Sequence, residues 1–467
     1  MACHSNFSCS AFSSFLITNN TNHHPFSEFK FNSPTSNTSS SSSSSSRSYT
    51  RRWFNPLRRR NSDNSSEIQR HWIEAPNQSH ASPERFTVAS YNILADRNAK
   101  QHSDLYINVP SRYISWDHRK TVISNELFGW DPDILCLQEV DKYVELSDIL
   151  VKAGYTGTYK RRTGDTADGC AMFWKADKFR LLEEEGIQFK DFGLSDNVAQ
   201  LLVFEMCESE SRRLIVGNIH VLYNPNRGEV KLGQIRFLLS RAQALSDKWG
   251  SAPIVLAGDF NTTPQSGIYK FLSSSELNIL LYDRKELSGQ KSCRPAQVLG
   301  EEKETLRPFI LPDGLLKCWT DEEVKVATGD SKRYLAVHSL KLNSSYATLN
   351  GSTSTMRFSG EPLATSYHSK FLGTVDYLWY SEGIVPTRVL DTVPIAELVR
   401  TGGLPCKTAK NIHLCGLLPP SLPVFSRNRS LGLKVYFLFW YKNIGLAESR
   451  DNDKVVALRP RGHEFKS

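Results

Sequence analysis

The chain has 467 residues, 39% of them hydrophobic and 23% charged, with a formal net charge of +8. That is a globular composition, and no run of 18 apolar residues is present to suggest a membrane-spanning helix. Residues 1–60 hold seven Lys and Arg against one acid, Glu28, so most of the basic excess sits at the start and is no sign of a basic nucleic-acid surface on the rest. Nine Cys occur without a C-x-x-C pair, the pattern of reduced thiols rather than of a disulfide framework.

Residues 1–80 are rich in Ser and Asn, with an unbroken Ser39–Ser46 run and Arg at 51, 52 and 58–60. Such a segment buries too little apolar surface to offset chain entropy, so a disordered leader is expected. Its acid-poor, Arg-bearing composition is that of an organellar transit peptide, with a plain tail or a nuclear-localisation patch as alternatives. The expected compartment is accordingly cytoplasm or nucleus, or else mitochondrion or plastid. From Phe86 onward strands alternate with helices. Strands are expected over 86–94, 133–140, 169–174, 198–205, 213–222, 254–257 and 373–380, and helices over 113–128 and 231–248. That alternation predicts a layered α/β domain over 81–405, with polar, loop-rich residues 273–361 as a surface insertion.

Polar residues end several of these apolar strands: Asn92, Gln138-Glu139, His220, Asp259 with Asn261, and Asp376. Active sites on α/β scaffolds are assembled from strand ends and the loops that follow them. Taken singly, each has an ordinary structural explanation, such as a turn cap or a buried partner. Together they form a set of hard oxygen donors without thiolates, which suits Mg²⁺ beside a phosphate. In that chemistry Glu139 holds the ion, Asp259 orients or deprotonates a water, and His220 and Asn261 donate to phosphoryl oxygens.

The segments Ser90–Ala95, Asp133–Val140, Asp168–Ala171, Asn197–Gln200, Asn218–Arg236, Gly258–Asn261 and Thr374–Tyr377 resemble the motifs of the endonuclease/exonuclease/phosphatase superfamily. Within it they are most similar to the carbon catabolite repressor type deadenylases, the branch shared with nocturnin and Angel. The resemblance implies a DNase I-like, four-layered α/β sandwich of two mainly antiparallel sheets flanked by helices. It also implies Mg²⁺-dependent 3′-to-5′ removal of adenylate from single-stranded RNA tails. On the same footing Glu139 is the principal metal ligand and Asn92 supports it; His220, Asp259, Asn261 and Asp376 are catalytic. Pro225 and Phe371 match positions that flank a stacked adenine, and ordinary packing is the alternative for Phe371. No leucine-rich repeat precedes the domain, so docking to a deadenylase complex through such a surface is not expected.

The resemblance breaks at the end. Family members carry a Ser-Asp-His segment on a final strand, where this chain reads Asn411-Ile-His413. Residues 406–467 are therefore expected to be an atypical tail that replaces the last strand, with 433–440 as an imperfect substitute. Reduced activity follows from such a loss. Two other functions fit the same residues: a phosphatase acting on a nucleotide or dinucleotide, and a catalytically silent RNA-binding protein.

Overall fold

The computed structural model describes residues 68, 70–76, 85–208, 212–300, 319–349, 355–407 and 413–418. In chain order the strands are β1 (Trp72–Glu74), β2 (Phe86–Asn92), β3 (Ile134–Gln138), β4 (Tyr155–Arg161), β5 (Gly169–Lys175) and β6 (Phe179–Gln188). They continue as β7 (Val198–Met206), β8 (Arg213–His220), β9 (Ile254–Asp259), β10 (Glu276–Asn278), β11 (Leu335–Val337) and β12 (Leu342–Ser344). The last are β13 (Ser366–His368), β14 (Phe371–Gly373), β15 (Asp376–Ser381), β16 (Val385–Leu390) and β17 (His413–Leu418). Among the described residues they form a seven-stranded sheet in the order β1-β16-β17-β2-β3-β5-β4 and a six-stranded sheet in the order β12-β15-β9-β8-β7-β6. Two small antiparallel strand pairs, β10-β11 and β13-β14, stand apart.

The side-chain period of two explains the layers. In β9, Ile254 and Leu256 join the core beneath the helix Gly228–Lys248, while Val255 and Ala257 join the core between the sheets. In β3, Ile134 and Cys136 face that same inter-sheet core, and Leu135 and Leu137 face the helices Trp116–Trp130 and Tyr143–Lys152. Strands buried on both faces read as continuous apolar runs, which is how they stand in the sequence. Three cores between four layers give the expected α/β sandwich. Each fully buried Val, Leu or Ile contributes about 1.5–3 kcal/mol to it.

Both sheets are mainly antiparallel, yet each contains one parallel pair, β2 with β3 and β8 with β9. The C-terminal ends of these four strands therefore lie at the same edges of their sheets. Antiparallel β15 places its first residue, Asp376, opposite Asp259, and antiparallel β17 places His413 opposite Ser90. This topology is what gathers the polar strand ends.

Four expectations change. The strand expected to be lost is present: β17 fills the position between β16 and β2, with Leu414 buried on one face and Cys415 and Leu417 on the other. The substitute proposed at 433–440 lies outside the described residues. Within the leader, Trp72–Glu74 is ordered as edge strand β1; the Trp72 ring meets Trp130 edge-on at 5.8 Å and carries the Arg388 guanidinium at 4.0 Å. Most of 1–80 lies outside the described residues. The 273–361 insertion is not confined to the surface, since it supplies edge strand β12 and the helix Asp321–Thr328, whose Val324 and Ala327 enter the core with Ile235. The two expected helices change at their ends: the first runs Trp116–Trp130, starting three residues later, and the second Gly228–Lys248, starting three residues earlier and ending where expected.

Candidate active site

At the shared edge of the two sheets lies a cavity of about 280 Å³, lined by Asn92, Glu139, His220, Asp259, Asn261 and Asp376 among others. That size is at the small end of ligand pockets. Seven of the nine residues singled out from the sequence come together here, Phe371 included. Pro225 does not line it; it sits half-buried in the turn before the helix Gly228–Lys248, and Tyr223 reaches the cavity from that loop.

Backbone strain marks the place. Leu94, Glu139 and Asn261 all hold positive φ, at 58°, 55° and 48°, which bulky L-residues seldom adopt. Such conformations cluster at functional sites because the surrounding structure must enforce them. Gly258 has a different reason: a Cβ there would lie 2.0 Å from the Ile219 carbonyl oxygen, so only glycine lets β9 run this close to β8.

Hydrogen bonds then fix the polar atoms. Asn92 Nδ2 donates to Glu139 Oε1 at 2.9 Å and lies 3.1 Å from Asp259 Oδ2. Glu139 Oε2 accepts from Asn98 Nδ2 at 2.9 Å and from the Ala95 amide at 3.1 Å. His220 Nε2 lies 3.7 Å from Asp259 Oδ2, and the His220 carbonyl accepts from Asn197 Nδ2 at 3.0 Å. Asn261 is held at every polar group. Its amide donates to Asp259 Oδ1, its Nδ2 to the Val221 carbonyl, and its Oδ1 accepts from Gln290 Nε2 at 3.0 Å. Only one Nδ2 hydrogen is left for a phosphate. Gln138 takes no part: its side chain points between the sheets and donates to Asn218 Oδ1 at 2.8 Å.

Electrostatics separate the acids. Burial pushes Glu139 up, but His220 and the amides of Asn98, Asn92 and Ala95 outweigh it and hold the carboxyl below its usual range. Burial raises Asp259, with the His220 interaction opposing. Asp376 rises well above the ordinary carboxylate range through burial and the charge of Asp259. Environments that push neighbouring acids apart assign them different proton roles.

Three carboxylates thus crowd one cavity whose lining offers a single guanidinium, Arg162. Their mutual repulsion and their hard oxygen donors fit a divalent cation held by Glu139 with support from Asn92. No group of three or more His, Cys, Asp or Glu among the described residues forms a closed metal cage. A site with one or two carboxylates and bound water is the kind Mg²⁺ takes.

Several site residues escape sequence reasoning. Asn98 sits in a polar helix and Gln290 in the insertion, with no pattern to distinguish either. Lys231 is fully buried, donates to the Asn261 carbonyl at 2.9 Å and to the Gln290 side chain, and is lowered by burial to about 7. His413 reaches Asp376, with Nε2 3.9 Å from Oδ2, but lies beneath the cavity with its side chain 1% exposed. Its ring meets Tyr346 edge-on at 5.8 Å.

The Endonuclease/Exonuclease/phosphatase family matches residues 89–398. Carbon catabolite repressor protein 4 homolog 3 of Arabidopsis thaliana is 56% identical over 373 residues, covering 79% of this chain and 83% of that protein. Protein angel homolog 2 of Homo sapiens is 32% identical over 347 residues, covering 68% of this chain and 62% of that protein. The crystal structure of ANGEL2, a 2′,3′-cyclic phosphatase, is similar with a TM-score of 0.60 and 29% identity, covering 76% of this chain and 99% of that one. The fold is accordingly the DNase I-like sandwich. The chain belongs to the endonuclease/exonuclease/phosphatase family, with carbon catabolite repressor and Angel proteins as relatives, and is by that membership a hydrolase of the nuclease and phosphatase type.

Proposed function

We propose that the protein is an exoribonuclease that removes adenylate residues from the 3′ end of single-stranded RNA with Mg²⁺. The observation that carries this is the convergence of Glu139, Asp259 and His220 in one cavity that also has an aromatic wall. In that wall His368 and Phe371 lie 6.0 Å apart, and Tyr106 meets His368 at 6.4 Å. A base stacked on such faces gains about 1–3 kcal/mol without reading sequence.

Asp259 is the base: ionised, beside His220, and oriented by Asn92 and the Asn261 amide, it positions and deprotonates the attacking water. His220 and the free Nδ2 hydrogen of Asn261 donate to the phosphoryl oxygens as charge builds there. Asp376, kept protonated by burial and by Asp259, donates a hydrogen bond to a phosphoryl oxygen; as the water oxygen bonds to phosphorus the P–O3′ bond breaks, and the departing 3′ oxygen takes its proton from solvent. A Mg²⁺ held by Glu139 and Asn92 would supply charge neutralisation at the scissile phosphate.

Incubation of 5′-labelled oligoadenylate with Mg²⁺ tests the proposal, with Glu139→Gln as control. A ladder of shortened products from the wild type alone is the expected result. Intact RNA from both would end the exonuclease reading. The similarity to the ANGEL2 structure favours a second function, hydrolysis of 2′,3′-cyclic phosphate at an RNA end. Adenosine 2′,3′-cyclic phosphate as substrate distinguishes the two, since it yields a monophosphate without any shortening of a chain.

A further inference from the structure

Arg162 is the one charged group lining the cavity that the reaction above leaves without a task. It follows the last residue of β4, and its backbone is pinned by a hydrogen bond from its own amide to the Asp168 carbonyl at 3.0 Å. Its side chain is 20% exposed and shares the cavity with Glu139 and His220. The Asp168 carboxylate lies 3.6 Å from Nη1, close enough to fix the charge but beyond hydrogen-bond distance. Among the described residues the guanidinium donates no hydrogen bond, and its Nε is buried without a partner. A guanidinium presents five donors in a planar fork that matches two phosphoryl oxygens at once. Nη donors that make no hydrogen bond beside a cavity form an anion site.

The order of strands says which anion. In the seven-stranded sheet β4 is the edge beyond β5, while β2 and β3, which carry Asn92 and precede Glu139, are central. The aromatic wall is tied to segments that follow β2 and β16, not to β5 or β4. Ser369 donates to the Leu105 carbonyl at 2.9 Å, and Leu404, which follows β16, donates to the Tyr367 carbonyl at 3.1 Å. In strand order Asn92, which ends β2, and Glu139, which follows β3, therefore stand between β16 and β4. An RNA end with its last base on the wall and its scissile phosphate at Glu139 and Asp259 therefore sends its next phosphate toward β4.

Resting on the exoribonuclease reading, we propose that Arg162 binds the phosphate of the linkage immediately 5′ to the scissile one. The contact exists for a polynucleotide and is absent for a mononucleotide, so Arg162 makes the site prefer a chain end.

Fluorescence anisotropy in EDTA, where hydrolysis is suppressed, tests this with two 5′-labelled oligoadenylates. One carries phosphate throughout; the other has a neutral methylphosphonate at the second linkage from the 3′ end. Arg162→Gln is expected to weaken binding of the first about tenfold, as for a hydrogen bond to a charged group. The neutral linkage should weaken wild-type binding by a similar factor and cost the Gln variant little more. The variant's salt dependence should fall by about 0.7 in slope, the value for one phosphate on a single strand. Arg162→Lys should recover the slope but only part of the affinity. Equal losses for both RNAs on mutation, or wild-type indifference to the neutral linkage, overturn the contact. Should Arg162→Gln fail to fold, the wild-type comparison of the two RNAs still decides. A wild type that binds as expected but never shortens oligoadenylate in Mg²⁺ refutes the exonuclease reading alone; a wild type that binds neither RNA refutes both.

Discussion

Asn92, at the end of β2 in one sheet, places its Nδ2 3.1 Å from Oδ2 of Asp259, at the end of β9 in the other. The same nitrogen holds Glu139. One amide thus spans two acids that would otherwise repel each other across the gap between the sheets. Replacing it leaves both carboxylates without that donor and frees Asp259 to turn from its water. Asn92→Ala is expected to lower kcat about a hundredfold or more while the thermal transition stays within a few degrees. Asn92→Asp adds a third charge and should perform worse still, with the acid limb of the pH–rate profile moved upward. A variant with near-wild-type kcat would remove Asn92 from the machinery.

Asp376 and Asp259 face each other across β15 and β9, and burial with mutual repulsion keeps the first protonated when the second is ionised. The kcat/KM profile should then be bell-shaped, rising as Asp259 ionises above the ordinary aspartate range and falling as Asp376 loses its proton. Asp376→Asn keeps a donor but cannot titrate, so the alkaline limb should disappear with a modest loss of rate. The linkage has a definite sign. A carboxyl whose folded pKa lies above 3.8 is released first by the unfolded chain, so its contribution to stability falls as pH rises above 3.8 toward the folded value. Urea denaturation of wild type and Asp376→Asn in EDTA across that range should converge at low pH and part as pH rises.

Much of this is legible in the sequence. The strands around Val255, Ile134 and Leu202 read as continuous apolar runs because both faces are buried, and the polar residues that end them could only meet at sheet edges. Asn98, Gln290 and Lys231 were not legible, for each acts on a residue 29 or more positions away, and nothing local distinguishes a polar side chain that will be enclosed. The last strand departs from expectation for a related reason. Without the Ser-Asp pair, Leu414, Cys415 and Leu417 still carry the alternation that a two-sided strand requires. Pro225 is a matched motif position that does not line the cavity.

Gly258 supplies a test of how tightly sheet and site are joined. An added Cβ would meet a backbone oxygen of β8, which cannot rotate aside, and φ there is 153°. Gly258→Ala is expected to cost more than about 2 kcal/mol in urea denaturation, as overpacking against fixed backbone does. Because His220 pairs with Asp259 in the register that Gly258 permits, activity should fall further than stability alone explains. Unchanged stability would show that β8 and β9 can separate at this point.

His413 bears on whether the departure from the family segment matters. Burial, helped by the Arg70 charge, lowers its pKa to about 3, so the folded protein keeps a neutral imidazole against Asp376. The unfolded chain binds a proton on it near 6.5. With the folded value below the unfolded one, the stability it contributes is complete above pH 6.5 and is lost progressively as pH falls toward 3. Wild-type protein should therefore lose stability over that window at a slope approaching one proton. His413→Gln, which cannot titrate, should lack this component while other groups continue to contribute. The measurement is the pH dependence of the urea midpoint for the two proteins, converted with a common m-value. Parallel curves from pH 6.5 down to 4 would mean that the imidazole is charged in the fold, and that β17 holds it in a wetter place than beneath Asp376.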